Sequence, residues 1–89
     1  MPIKNKANVN YTNPIKRSNS ADQAVMNYAS TSPNIQGAVI RSIPAHAGGD
    51  TWHTGGTDPN AKEHITVEFK DAAGNHITTK HIDRNGKAC

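Results

Sequence analysis

The stretch from Glu63 to Asp83 constrains this chain more than any other. Ile65, Val67 and Phe69 alternate with His64, Thr66, Glu68 and Lys70, which puts β-branched and aromatic residues on one side of a strand. Asp71-Ala72-Ala73-Gly74 then suits a type I turn followed by a glycine in the left-handed region, closing a β-hairpin with a G1 bulge. Asp71 can accept hydrogen bonds from the turn backbone, and Gly74 takes a positive φ without a Cβ clash. With Asp71 paired to Asn75 and a regular ladder beyond, Phe69 faces Ile77, Val67 faces Thr79 and Ile65 faces His81. The opposite face then carries His64, Thr66, Glu68 and Lys70 beside His76, Thr78, Lys80 and Ile82. A slip of one residue exchanges the two faces, so this expectation rests on the turn.

Around the hairpin the chain divides by composition. Lys4, Lys6, Lys16 and Arg17 all precede the first acid, Asp22, so residues 1–17 read as a basic N-terminal arm on a nearly balanced body. Thr12-Asn13-Pro14 marks a turn, and Val9-Asn10-Tyr11 can extend. The arm is expected to be mobile unless it joins a sheet edge. Residues 18–89 are expected to form a single small domain. Within it, residues 18–31 read as the helix, capped by Ser20 with Gln23 completing a capping box and Asp22 in the first turn. Ala21, Ala24, Val25, Tyr28 and Ala29 share one face, Met26 lies off it, and Ser32-Pro33 ends the helix. Gly37 to Ile43 reads as a central strand with apolar groups on both sides, stopped by Pro44, and Arg41 shares a side with Val39 and Ile43. Residues 44–62 form a glycine-rich loop with a brief extended stretch at Thr51–Thr54 and a short helical turn from Asp58-Pro59 to Lys62. The expected fold is therefore α+β: one helix packed on a small three- or four-stranded, mainly antiparallel sheet with a C-terminal β-hairpin.

Hydrophobic residues make up 34% of the 89, and there is a single Phe and a single Trp, so the core must be thin. Its expected members are Val25, Tyr28, Ile35, Val39, Ile40, Ile43, Trp52, Ile65, Val67, Phe69 and Ile77. A thin core with an open sheet edge suggests a homodimer, or a chain of which part stays unfolded. The single cysteine, Cys89, is terminal and permits no internal disulfide, which disfavours a stapled secreted scaffold. No apolar run of signal-peptide type or of membrane-spanning length occurs, so the expectation is a soluble cytoplasmic protein with no membrane partner.

Five histidines in so short a chain direct attention to proton transfer and metal binding. His46 and His53 with Asp50 or Asp58 mix ligand types in one loop, but their spacing matches no usual zinc pattern, and no metal or cofactor is expected. Gly48-Gly49 and Gly55-Gly56 can form anion nests but belong to no phosphate-loop fingerprint. The polar hairpin face carries more. Glu68 and His64 lie on one strand side, roughly 13 Å apart at the usual rise, close enough to flank a substrate.

Two function classes fit these residues. The first is a small basic binding module that takes RNA, another polyanion or a protein partner through its sheet. It would use Arg41, His76 and Lys80 together with Lys4, Lys6, Lys16 and Arg17. The second is a metal-independent endoribonuclease on the same hairpin face. Glu68 would be its general base, His53 or His64 its acid, and Lys80 and Arg41 its phosphate clamp.

Overall fold

The computed structural model describes residues 3–12, 18–41, 52 and 63–88. Lys16, Arg17, Ile43, His46, the two glycine pairs, His53, the turn expected at 58–62 and Cys89 lie outside the described residues. After a short 3-10 turn at Lys6–Asn8 come β1 (Val9–Tyr11), α1 (Asn19–Ala29), β2 (Gly37–Ile40), β3 (Ile65–Lys70) and β4 (His76–Ile82). The strands form one sheet in the order β1-β2-β3-β4. The fold is α+β, and the sheet is mixed: β1 runs parallel to β2, while β2–β3 and β3–β4 are antiparallel.

The parallel pair explains the expected arm. Val9 pairs with Ala38 and Tyr11 with Ile40, so the middle of that segment becomes an edge strand. A parallel neighbour needs a crossover, and α1 is that connection. Val9 and Ile3 are both buried in the core. Tyr11 ties the strand to the helix: its hydroxyl lies 2.5 Å from Oδ1 of Asp22 and accepts from the Ser18 N–H at 3.2 Å. Asp22 is fully buried, and this contact helps offset the cost of removing its carboxyl group from water.

The helix cap lies two residues before the expected one. Ser18 takes the N-cap, its side chain accepting from the Ala21 N–H at 3.2 Å. Ser20 serves a distant residue instead, accepting from the buried Trp52 Nε1–H at 2.8 Å. Ala21, Ala24, Val25 and Ala29 are buried against the sheet, and Tyr28 stacks on Phe69 with ring centroids 4.9 Å apart. The small residues on this stripe let the helix lie close over Ala38, Ile40, Ile65, Val67, Phe69 and Ile82. Gly37 to Ile40 is central as expected, but Val39 points to the opposite side and is only half-buried.

The first hairpin turn forms as its residues require. The Asp71 N–H donates to the Asn75 carbonyl at 3.0 Å, the Asp71 carboxylate accepts from Ala73 and Asn75, and Gly74 has φ +85°. The expected register beyond it is wrong. Lys70 pairs with His76, but Phe69 pairs with Thr78 and Ile65 with Ile82, so Ile77 is an extra residue with no partner in the ladder. This bulge inverts the rest of β4. Ile82 enters the core, Ile77 is 42% exposed, and Lys80 lies opposite Val67 on the helix side.

Candidate functional site

The face of the sheet away from α1 is built from the alternate residues of three strands. On β3 these are Thr66, Glu68 and Lys70, preceded by His64, all half-buried. Val39 lies beside Glu68 on β2, and Arg41 follows directly, its N–H donating to the Thr66 carbonyl at 3.0 Å. On β4 the bulge delivers Thr79 opposite Glu68 and His81 opposite Thr66. Arg41, Thr66 and His81 therefore form one row across the sheet, and Val39, Glu68 and Thr79 form the next.

Side-chain contacts knit these rows together. Arg41 Nη1 donates to Glu68 Oε2 at 3.3 Å, with the arginine side chain 56% exposed and the glutamate 27%. Thr66 Oγ1 lies 3.1 Å from His81 Nδ1. The His64 and His81 rings meet edge to face with centroids 5.2 Å apart. At the turn end of the face, His76 Nε2 lies 2.8 Å from Thr79 Oγ1. The patch thus combines a carboxylate, a guanidinium and three imidazoles within one short stretch of sheet.

The expected site residues sort into three groups. Glu68, His64, Arg41 and His76 are gathered on this face. Lys80 is not, because the bulge carries it to the helix side, and Lys6 hydrogen-bonds Asn19 at the start of α1, away from the patch. Lys4 is exposed on the segment before β1. His53, Lys16 and Arg17 lie outside the described residues. His81, expected on the apolar side of the hairpin, is the member that sequence reasoning missed. The available signal was the separation of Ile77 and Ile82. Five residues is an odd number, so no regular strand can bury both, and a bulge or a sacrifice of one isoleucine is required.

Arg84 stacks over the Trp52 ring at 4.6 Å and pairs with Glu63, closing the end of the sheet. Among the described residues, no group of three or more His, Cys, Asp or Glu side chains is arranged to hold a metal ion. Nor is any helix among them long and apolar enough to cross a membrane. Comparison with protein-family models, curated proteins and solved structures finds no match to this chain.

Proposed function

We propose that the chain is a small binding module that takes single-stranded RNA across the open face of its sheet. The observation that carries this reading is the gathering of Arg41, Lys70, His64, His76 and His81 on one face. Single-stranded nucleic acid offers phosphates to cations and flat bases to side chains that can stack on them. An arginine is well suited to the phosphate, since its planar fork carries five donors and Glu68 takes only one of them at 3.3 Å. The imidazoles supply hydrogen bonds and flat rings at close spacing. The net charge of +3 adds a weak attraction for any polyanion.

The test is fluorescence anisotropy with a labelled single-stranded RNA, titrated over a range of salt. Affinity should fall steeply, with a logarithmic slope of about 0.7 for each phosphate neutralised. Arg41→Ala should weaken binding and reduce that slope by about one phosphate's share. No binding at low salt, or a flat salt response, removes RNA and leaves the same face to a protein partner.

A further inference from the structure

Glu68 is the feature that binding alone does not call for, since its pairing with Arg41 at 3.3 Å turns one of the arginine's donors away from a ligand. A carboxylate in the middle of an anion site repels the ligand, and here it sits between the arginine and the histidines. We infer that this face also cleaves the RNA it holds, with Glu68 as general base and His81 as general acid. This inference rests on the reading of the face as an RNA site and extends it from binding to chemistry.

The register makes the pair. Glu68 lies directly opposite Thr79, and His81 is the next residue of β4 on the same face. That is a diagonal cross-strand relation, about 7–8 Å between backbones. A phosphodiester needs one proton-transfer group on each side of phosphorus, each within a hydrogen bond of roughly 2.6–3.2 Å of its oxygen. The diagonal leaves room for such a group between two side chains that reach up from the sheet. His64 is worse placed for this role, being four residues from Glu68 along the same strand, roughly 13 Å. It packs instead against the His81 ring, while Thr66 holds the Nδ1 edge. Arg41 pairs with Glu68 at 3.3 Å and its side chain is 56% exposed, which leaves its other donors for the non-bridging oxygens in this scheme.

The reaction balances within the substrate and these side chains. The Glu68 carboxylate takes the proton of the ribose 2′-hydroxyl. The 2′-oxygen attacks phosphorus, forming the new P–O2′ bond as the P–O5′ bond breaks. The His81 imidazolium gives its proton to the departing 5′-oxygen, and Arg41 stabilises the charge that builds on the phosphorane. The products are a 2′,3′-cyclic phosphate and a 5′-hydroxyl, with no oxidant or reductant. The 2′-hydroxyl is the nucleophile, so DNA cannot react by this route.

The experiment incubates the full chain with a short mixed-sequence single-stranded RNA in the presence of chelator, and measures binding separately with the same sequence in 2′-O-methyl form. Cleavage should yield cyclic-phosphate ends. Glu68→Gln and His81→Asn should each lower its rate roughly 100- to 10,000-fold. The 2′-O-methyl probe should bind Glu68→Gln as tightly as wild type or more tightly, which a merely unfolded variant would not do. Wild-type protein that binds the probe yet leaves RNA intact overturns the inference and spares the binding reading. Cleavage that survives either substitution, or that chelator abolishes, overturns it too. Failure to bind the probe overturns both.

Discussion

The two faces of the β3–β4 hairpin come from one run of sequence and do opposite work. Toward the helix stand Ile65, Val67, Phe69 and Ile82, each with no solvent exposure. Burial of side chains of this size stabilises by about 1.5–3 kcal/mol each, as an upper estimate. Toward solvent stand Thr66, Glu68, Thr79 and His81, linked to Arg41 and His64 by polar and ring contacts. The covered face holds the sheet to the helix, and the other face gathers the polar side chains on which the proposed function rests. A single inserted residue, Ile77, decides which β4 side chains belong to which face.

The sharpest way to break this comparison is to truncate the two isoleucines of β4. Ile82→Ala should lose about 2–5 kcal/mol, since the side chain is fully buried in the core. Ile77→Ala should change stability by no more than about 0.5 kcal/mol. Urea unfolding of both variants measures the difference. A regular hairpin, with Ile77 facing Phe69, would reverse the two results.

A smaller contrast concerns two turns with the same wiring. Asp83-Arg84-Asn85-Gly86-Lys87 repeats the pattern of the first turn. Its aspartate carboxylate accepts from Asn85 and Lys87, its Asp83 N–H donates to the Lys87 carbonyl, and Gly86 has φ +80°. Their surroundings differ. A Cβ on Gly74 would meet nothing within 4 Å, whereas one on Gly86 would lie 2.7 Å from the Ala24 carbonyl oxygen and from Asn27 Cβ. Gly74→Ala should therefore cost about 1–2 kcal/mol, the backbone penalty alone. Gly86→Ala should cost about 1–3 kcal/mol more, because α1 must shift. Equal losses in thermal or urea unfolding would show that the second turn does not lie against the helix.

Much of this architecture was legible because it is local. The β3 alternation, the Asp71–Gly74 turn, the small-residue helix stripe and the central place of β2 all follow from neighbours in sequence. What escaped was set by distant residues. Ser18 and Ser20 are both competent caps, and the choice turns on Trp52, which occupies Ser20. β1 spans only Val9–Tyr11, the segment read as able to extend, but its parallel partner lies across the whole helix, so the pairing left no local pattern. The β4 register depended on whether Ile77 or Ile82 joined the core. Placing Ile77 there gave a regular ladder but put Lys80 on the polar face and His81 on the apolar one. Burying Ile82 brings it opposite Ile65, with Ala88 bridging it from the other side. The candidate site was thus half readable: Glu68, His64 and Arg41 from alternation, His81 only from the bulge.

The central claim is that His81 shares a face with Glu68 and Arg41, and proton–proton contacts in solution test it most directly. In a nuclear Overhauser spectrum, the ring protons of His81 should show cross-peaks to the Thr66 methyl group and to the His64 ring. They should show none to the methyl groups of Val25 or Val67 on the helix side. His81 cross-peaks to those core methyls, together with contacts pairing Phe69 to Ile77 instead of Thr78, would restore the regular hairpin and dismantle the proposed site.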